Sequence, residues 1–287
     1  MRNTTYILIT AAYNEEKNIE KTIQSVISQS MLPSEWILVS DGSIDNTDSI
    51  IQSYQKKYGF ITYHRIPNEN KHGFASKVFA LQAGIDKIKS SSYEFIGTLD
   101  ADVTFDKDYF KKIILKFEKN PKLGIAGGNV VELHRGKIFK RIKTFNSVAG
   151  AVQFFKKDCF EKTGDFLPLE YGGEDAAKEI IARMKGWEVK TFPDIEVVHH
   201  GFVGGRNPFR NRYRAGIQHC LLGYHPVFYL SRCIYRLKER PVIIGSVIEL
   251  IGFCYAALKY KEKKVPPDVV QYLRSEQLRR LKGLFGF

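Results

Sequence analysis

Two aspartates one residue apart, Asp100 and Asp102, directly follow a short apolar run at residues 95–99. In a loop, two acids at this spacing can turn toward one ligand, and their oxygens are the donors that Mg²⁺ and Mn²⁺ prefer. A cation held there would offset the charge of a departing diphosphate. Acids that follow a strand also cap helices and fill turns, so the pair alone is compatible with a metal site or with a simple turn.

A second acidic turn, at residues 41–47, follows the apolar run at residues 36–40. Gly42 permits a sharp change of direction, and Asp45 or Thr47 could cap the helix that follows. Turn formation explains Asp41 less well than it explains Gly42, Ser43 and Thr47, and the Asp41 carboxylate could accept a hydrogen bond from a nucleotide base or a ribose hydroxyl. Two acidic turns at successive strand ends are more specific than either turn alone.

A third acidic site, Glu174 and Asp175, begins a predicted helix at residues 174–184. An acceptor hydroxyl is a poor nucleophile at neutral pH, and a carboxylate within hydrogen-bond reach can take its proton as attack proceeds. The positive end of the helix dipole would keep Asp175 ionised for that role. The competing interpretation is that both acids simply occupy a favourable helix N-terminus.

Alternating short elements must position these acids. Hydrophobic periodicity predicts strands at 6–11, 36–40, 60–66 and 95–99, separated by helices at 16–30, 47–58 and 73–88. This alternation predicts an α/β fold with a parallel, doubly wound sheet, whose strand C-termini share one edge beside the ligand site. After residue 105 the pattern is less regular, with helices predicted at 106–119 and 174–184 and strands at 125–131, 189–192 and 196–199.

The 287 residues carry a formal charge of +13, and the excess is concentrated toward the C-terminal end. Residues 206–287 contain 16 basic and 5 acidic side chains, whereas residues 1–205 contain 28 and 26. A composition with 44% hydrophobic residues excludes a wholly disordered or collagen-like chain. The four cysteines have no CxxC spacing and the N-terminus lacks a signal-like apolar segment, so a reducing, cytoplasmic location is expected.

Five segments, in order, resemble family 2 inverting glycosyltransferases of the GT-A fold. They are YNEE at 13–16, DGSIDNT at 41–47, the segment with Gly73 and Lys77, LDAD at 99–102 and GGED at 172–175. The resemblance implies a GT-A (Rossmann-like) catalytic domain at residues 1–205, with a mixed, mostly parallel sheet flanked by helices. Residues 206–287 would then be a basic, aromatic, helical extension that associates with a membrane.

The resemblance also implies which residues bind the donor nucleotide. Tyr13 and Glu15 would hold the base, with the Tyr13 ring as a stacking face, and Asp41 would contact the base as well. Asp100 would lie near the ribose. Lys77 would approach the nucleotide or its phosphates, although a lysine that extends along the surface is an equal alternative.

For the metal and the chemistry, the resemblance implies a separate set of residues. Asp102 would coordinate Mg²⁺ or Mn²⁺ at the donor diphosphate. His199 would lie near that metal, with the adjacent His200 as the alternative. Asp175 would be the catalytic base, with Glu174 beside it.

Residues 241–258 are apolar apart from Glu249, and basic residues flank them on both sides. The segment is short for a membrane span and lacks the one-sided charge bias of one. We therefore expect an interfacial or shallowly inserted hairpin at an anionic membrane, the alternative being a helix pair packed on the catalytic domain. The extension resembles family 2 enzymes that build cell-surface polysaccharide or glycolipid, which implies a polyprenyl-linked or other membrane-proximal acceptor at the inner face of the cell membrane.

The predicted function is metal-dependent, inverting transfer of a sugar from a nucleoside-diphosphate sugar to a glycan hydroxyl. The sequence has no Gln-x-x-Arg-Trp segment, which processive synthases of the family use to hold a growing polymer, so one addition per event is expected. A nucleotidyltransferase acting on a sugar phosphate would also use paired acids and a metal. A basic nucleic-acid-binding module would leave the ordered acids unexplained, and no nucleic-acid partner is expected.

Overall fold

The computed structural model describes residues 4–67, 74–134, 137–140, 146–201, 207–238 and 242–285. Three features of the sequence predictions lie outside these described residues. They are Gly73, the predicted domain boundary between residues 205 and 206, and residue 241, which begins the predicted hairpin.

Nine strands in the described chain form one sheet. They are β1 (Tyr6–Ala12), β2 (Glu35–Asp41), β3 (Ile61–Ile66), β4 (Phe95–Leu99), β5 (Val103–Phe105), β6 (Leu123–His134), β7 (Lys137–Lys140), β8 (Val152–Lys156) and β9 (Glu188–His199). Their spatial order is β3-β2-β1-β4-β8-β6-β9-β5, and β7 pairs with β6. The first four strands are parallel, as are β6 and β9, whereas β8 is antiparallel to β4 and β6. The predicted mixed, mostly parallel sheet is confirmed.

Helices cover both faces of this sheet. Those that precede the C-terminal extension are α1 (Ile19–Ile27), α2 (Thr47–Gln55), α3 (Phe74–Ile85), α4 (Tyr109–Lys119), α5 (Lys157–Thr163) and α6 (Glu174–Met184). In β1, Tyr6 and Leu8 share a core with α1, α2 and α4, whereas Ile7 and Ile9 share the opposite core with α3, α5 and α6. Successive strand residues point to opposite faces, so a continuous apolar strand buries both faces, as a doubly wound sheet requires.

The N-terminal half follows the predicted order of elements, with ends that differ by a few residues. The strands β5, β7 and β8 and the helix α5 were not predicted. The two strands predicted at 189–192 and 196–199 are instead the single strand β9. Its register against β6 shifts between the Phe192–Gly128 pair and the Glu196–Asn129 pair. Pro193 lies in the shift and has no N–H to donate to the ladder.

The extension consists of α7 (Pro208–Leu221), α8 (Pro226–Tyr235), α9 (Ile244–Lys259) and α10 (Pro267–Phe285), with a short 3₁₀ turn at Arg236–Lys238. The predicted hairpin at 241–258 is wrong, because residues 244–258 belong to the single helix α9, which packs on α7 and α8. Gly216 and Gly252 permit the close approach of α7 and α9, since a Cβ on either would overlap the other backbone. Among the described residues, no helix combines the length and the apolar character needed to cross a bilayer.

The last helix, α10, joins the extension to the catalytic part of the chain. Its residues Val269 and Leu273 are buried in one cluster with Ala177 and Ile180 of α6. Because α6 also carries Glu174 and Asp175, the extension packs directly behind the helix that begins with these acids.

Candidate active site

A cleft of about 470 Å³ opens beyond the C-terminal ends of β1, β2 and β4. All of the predicted donor and metal residues line it: Tyr13, Glu15, Asp41, Lys77, Asp100, Asp102 and His199. This is the sheet edge at which parallel strands present their ligands. The fold therefore brings these widely separated residues together where the sequence predicted, while their individual roles stay predictions.

The turn after β1 and the turn after β2 are joined by hydrogen bonds, and each turn donates at least one of them. The N–H of Asn14 donates to Ser43 Oγ at 3.1 Å, and the N–H of Ile44 donates to Asn14 Oδ1 at 2.9 Å. Asn14 has a φ of 53°, a left-handed conformation that asparagine tolerates better than most residues. The N–H of Glu15 donates to Thr47 Oγ1 at 2.8 Å. The polar residues of the second turn thus fix the backbone that carries Glu15.

Asp41 and Tyr13 lie at the nucleotide end of the cleft as the sequence predicts it. Asp41 is buried, with 8% of its surface exposed, and accepts a hydrogen bond from Ser76 Oγ. Ser76 is adjacent to Lys77 on α3, so one helix supplies partners for acids at two strand ends. Tyr13 lies at the rim with 37% of its surface exposed, where an aromatic ring could stack on a base.

Asp100, Asp102 and His199 form a cluster whose ligand atoms all lie within 4.8 Å of one another. His199 Nε2 is 3.3 Å from Asp102 Oδ1, and His199 Nδ1 is 2.5 Å from the carbonyl oxygen of Gly201. Because a carbonyl only accepts, Nδ1 donates to it, and Nε2 faces the acids, where it is a metal ligand when it carries no proton. Two carboxylates and one imidazole nitrogen are a donor set that suits Mn²⁺ or Mg²⁺.

His200, the alternative to His199, is directed elsewhere. Its Nε2 lies 2.8 Å from Thr104 Oγ1 on β5. Neighbouring residues at the end of a strand point to opposite faces, so only one of the two histidines can face the cleft. The structure brings His199, and not His200, to the acids.

Lys77 crosses the middle of the site. Its Nζ donates to Asp100 Oδ1 at 2.5 Å. Burial alone would lower the pKa of Lys77, but the carboxylates of Asp100, Glu174 and Asp175 raise it above its ordinary value. Lys77 is therefore charged at neutral pH and lies between two groups of acids, where a phosphate could bind to it.

The acids of the cleft disfavour one another's ionisation. Burial, followed by the charges of Asp102 and Asp100, raises the pKa of Glu15 to about 7. Burial and the charge of Asp100 also raise the pKa of Asp102, against the opposing effects of His199 and Lys77. A bound cation would relieve this repulsion and favour the ionised carboxylates. The electrostatics of the cleft therefore favour a divalent cation beside Asp102.

A second cavity, of about 440 Å³, adjoins the cleft and shares Lys77, Asp100 and His199 with it. Glu174 and Asp175, in the first turn of α6, line this second cavity. Burial and then the neighbouring Asp175 raise the pKa of Glu174. A ligand that spans both cavities would contact the cluster of Asp100, Asp102 and His199 at one end and Asp175 at the other.

The wall beside Asp175 is the loop at residues 146–151. Gly150 in this loop touches the carboxylate, since a Cβ added to it would lie 2.6 Å from Asp175 Oδ2. The next residue, Ala151, accepts a hydrogen bond from the N–H of Asp100 through its carbonyl at 3.0 Å. One short loop thus contacts the predicted base and fixes the first of the paired aspartates.

A buried acid one helical turn after Asp175 holds this loop in place. Glu179 Oε1 accepts hydrogen bonds from the N–H of Val148 at 2.6 Å and from Gln153 Nε2 at 3.1 Å. Burial, and then the charge of Asp175, raise the pKa of Glu179 from 4.5 to about 8. At neutral pH this carboxyl therefore holds its proton and serves as a structural hydrogen-bonding group.

We expect Glu179→Gln to stabilise the protein at alkaline pH and to leave its stability unchanged at acidic pH. The raised pKa means that the folded state binds the proton more tightly than the unfolded chain. Stability from Glu179 is then complete below pH 4.5 and is lost as the pH rises toward 8. Glutamine keeps the acceptor oxygen but cannot ionise, so urea unfolding at about pH 9 should show a gain on the order of a few kcal/mol.

The control for this measurement is Glu118→Gln, which changes an exposed acid on α4. It should not alter the pH dependence of the unfolding free energy. A Glu179→Gln protein that is less stable than the wild type at about pH 9 would contradict the assignment of a neutral, buried carboxyl.

Several cavity residues were missed by sequence reasoning. Ser76, Gly150 and Tyr171 carry no motif of their own. Arg214 and Gln218 come from α7, so the extension forms one wall of the second cavity. The sequence contains one signal for Arg214 and Gln218. Together with Asn211 they recur three and four residues apart, and this helical spacing places all three on one face of α7.

Comparison with known proteins gives consistent results. The sequence model of the family described as "Glycosyl transferase family 2" matches residues 7–171. Poly-beta-1,6-N-acetyl-D-glucosamine synthase of Staphylococcus epidermidis is 31% identical over 202 aligned positions, and the match covers 64% of this chain and 47% of that protein. The synthase of the same name from Staphylococcus aureus (strain COL) is 28% identical over 212 aligned positions, and the match covers 67% of this chain and 48% of that protein. The chain thus spans about half the length of the curated relatives it matches.

Two solved structures are similar in fold. The mannosyltransferase PcManGT from Pyrobaculum calidifontis, in complex with GDP-Man and Mn²⁺, has a TM-score of 0.57 and 17% identity, and the match covers 97% of this chain and 75% of that chain. GalNAc-T7 with UDP, GalNAc and Mn²⁺ has the same TM-score and identity, over 71% of this chain and 45% of that chain. At these identities the likeness establishes the fold, which is the GT-A fold expected from the sequence.

Proposed function

The chain belongs to glycosyl transferase family 2, and from this premise we propose that it moves a sugar from a nucleoside-diphosphate sugar to a hydroxyl of a glycan acceptor. The observation that carries the proposal is the pair of adjoining cavities, with the acids and His199 in one and Asp175 in the other. A donor needs a site for a nucleotide and a diphosphate, and an acceptor needs a base beside its hydroxyl. The two cavities offer both, and they meet at Lys77 and Asp100.

On the donor side, Tyr13, Glu15 and Asp41 bind the nucleotide base and Asp100 lies by the ribose. The raised pKa of Glu15, about 7, lets this side chain either donate or accept a hydrogen bond near neutral pH. Lys77 offers its charge to the phosphates. The convergence of these side chains on one cleft supports the assignment.

Asp102 and His199, with Asp100 beside them, would hold Mg²⁺ or Mn²⁺. When bound, the cation supplies positive charge next to the diphosphate. Support comes from the donor set itself, from the raised pKa of Asp102 and from the Mn²⁺ in both solved structures of similar fold.

Asp175 takes the proton from the acceptor hydroxyl as the oxygen attacks the anomeric carbon. It lies in the first turn of α6, where its Oδ1 accepts a hydrogen bond from the N–H of Ala176 at 2.7 Å. Attack from the face opposite the leaving diphosphate inverts the anomeric configuration, and no covalent intermediate on the enzyme is required. Gly150 leaves the space that the Asp175 carboxylate occupies.

We further propose that the acceptor is lipid-linked or otherwise close to a membrane, and that one sugar is added in each event. The basic extension supports the first point, because α7 lines the second cavity and the extension carries most of the excess positive charge. The lack of a Gln-x-x-Arg-Trp segment supports the second. The chain would act on the cytoplasmic side, at the inner face of the cell membrane.

The test is to identify which group is released from the substrate. The protein is incubated with Mn²⁺, a polyprenyl-linked glycan acceptor and UDP-, GDP- or dTDP-sugars, including N-acetylglucosamine donors because the relatives are named for a polymer of that sugar. Release of a nucleoside diphosphate, with inversion at the anomeric carbon seen by NMR, is the expected result. Formation of a nucleotide sugar and pyrophosphate from a nucleoside triphosphate and a sugar phosphate would instead establish a nucleotidyltransferase.

A further inference from the structure

Helices α8 and α9, which pack against each other, expose large apolar side chains that we together call the outer apolar face. It is defined here by Leu230 and Ile234 of α8 and by Ile244, Val247, Ile251 and Leu258 of α9, which are 47–87% exposed. On α9 these positions recur three, four or seven residues apart, so they lie along one side of the helix. A surface helix of a soluble protein normally places polar residues on this side.

The inner side of α9 is tightly packed against α7 and α8. The outer side is therefore exposed although the helix itself is well packed. Gly252 lies against the backbone of α7, and the rings of Phe253 and Tyr229 stack with centroids 4.2 Å apart. The single acid of α9, Glu249, points inward and is 1% exposed. It accepts hydrogen bonds from Arg212 Nη1 at 3.0 Å and from Arg232 Nη1 at 2.6 Å.

Burial alone would raise the pKa of Glu249, but Arg232, Arg236 and other nearby basic groups lower it below its ordinary value. The carboxylate therefore stays ionised and paired inside the helix layer. As a result, the outer side of α9 between residues 244 and 258 carries no charged side chain. Exposed apolar patches of this kind mark a surface that binds a partner.

The charges around the outer apolar face identify the kind of partner. Lys259 is the last residue of α9, and Lys261 and Lys264 follow it. All three lysines are exposed, with one exposed acid, Glu262, among them. Basic residues beside an apolar helix face are suited to anionic lipid head groups above an acyl layer. A symmetric pairing of two copies through this face would instead bring like charges together.

We propose that the outer apolar face of α8 and α9 docks on an anionic lipid bilayer, with α9 lying in the plane of the interface. The inner side of α9 is packed on α7 and α8, so only its outer side can enter the lipid and docking is confined to one leaflet. The biological meaning of this surface rests on the membrane-proximal acceptor of the proposed function, but binding itself can be tested without sugar transfer.

The position of α7 connects this surface with the active site. One face of α7, with Arg214 and Gln218, lines the cavity of Asp175, and the opposite face, with Gly216, packs on α9. The second cavity is thus one helix layer behind the docking helix, at a depth of roughly 20 Å from helix dimensions and packing distances.

The experiment is sedimentation of the full chain with vesicles of phosphatidylcholine alone or mixed with phosphatidylglycerol. Ile251→Glu and Val247→Glu each place a charge on the outer apolar face, at side chains that are 55% and 48% exposed. Leu115→Glu is the matched control, because Leu115 is an exposed leucine on α4 of the catalytic domain. Equal midpoints of thermal unfolding for the three variants and the wild type show that each variant is folded.

We expect the wild type and Leu115→Glu to bind the phosphatidylglycerol vesicles, and each charge on the outer apolar face to lower the partition coefficient at least about tenfold. Binding by Ile251→Glu and Val247→Glu equal to the wild type would overturn the proposal, as would a wild type that binds neither kind of vesicle. A dimer that Ile251→Glu dissociates, without vesicle binding, would assign the face to a second copy and overturn it as well. Release of nucleoside diphosphate by the same proteins is measured in a separate assay. Failure of the docking proposal appears only in the sedimentation assay, and failure of the proposed function appears only in the release assay.

Discussion

Asp175→Asn should lower the rate of sugar transfer by about 10²- to 10⁴-fold, the contribution of a positioned general base. Asparagine preserves the shape of the side chain and its place in the first turn of α6, but it cannot take the proton of the acceptor hydroxyl. Asp175 lines the second cavity and not the donor cleft. The affinity for the donor nucleotide should therefore change little, and the loss should appear in kcat.

Asp158→Asn is the matched control for this prediction. Asp158 is likewise the second residue of its helix, α5, and it is exposed away from both cavities. Removing its charge should leave the transfer rate unchanged. If Asp175→Asn kept more than about a tenth of the wild-type rate, a carboxylate other than Asp175 would have to be the base.

Asp102→Asn should abolish the effect of Mn²⁺ on nucleotide binding. The substitution removes one of the two carboxylates of the cluster and leaves His199 and Asp100 with too little charge to hold the ion. The affinity for Mn²⁺ should fall by more than the roughly 10- to 100-fold that loss of an outer-shell partner costs. Titration calorimetry with Mn²⁺, in the presence of a nucleoside diphosphate, measures the change directly.

Asp86→Asn, an exposed acid on the surface beyond α3, controls for the general loss of one negative charge. It should bind Mn²⁺ as the wild type does. Wild-type affinity for Mn²⁺ in Asp102→Asn would mean that the cluster of Asp100, Asp102 and His199 is not the metal site.

The cleft beyond β1, β2 and β4 was largely predictable because most of its residues follow strands with strong local signals. Each apolar run of the N-terminal half ends in a polar turn, and parallel strands bring those turns to one edge. The choice between His199 and His200 was not predictable, since it depends on the pairing of β9 with β5. That three-residue strand has too short an apolar pattern to be recognised in the sequence.

The second cavity was less predictable because distant parts of the chain form its walls. Gly150 contacts Asp175, and Glu179 accepts a hydrogen bond from the backbone of the 146–151 loop. Neither residue belongs to a sequence motif that would indicate this contact. The strand β8 was missed for a related reason, since it pairs antiparallel with strands far away in the sequence.

The structure of the extension was also hard to predict because it depends on contacts between residues that are distant in the sequence. Glu249 was the one charge in a run of apolar residues, and the sequence does not indicate that it points inward. Arg212 and Arg232, which bind it, lie on two other helices. Without these partners the segment resembled an inserted hairpin. With them it is a packed helix whose other side stays apolar.

The most direct test of the central claim is thermal unfolding of the wild type with a panel of nucleoside diphosphates, each with and without Mn²⁺. A ligand at 100 times its Kd adds about 2.7 kcal/mol to the folded state, which should raise Tm by several degrees. We predict this rise for one nucleoside diphosphate in the presence of Mn²⁺, and its loss when the metal is chelated. If no nucleoside diphosphate raised Tm with Mn²⁺ present, the acids of the cleft would not be a metal–diphosphate site.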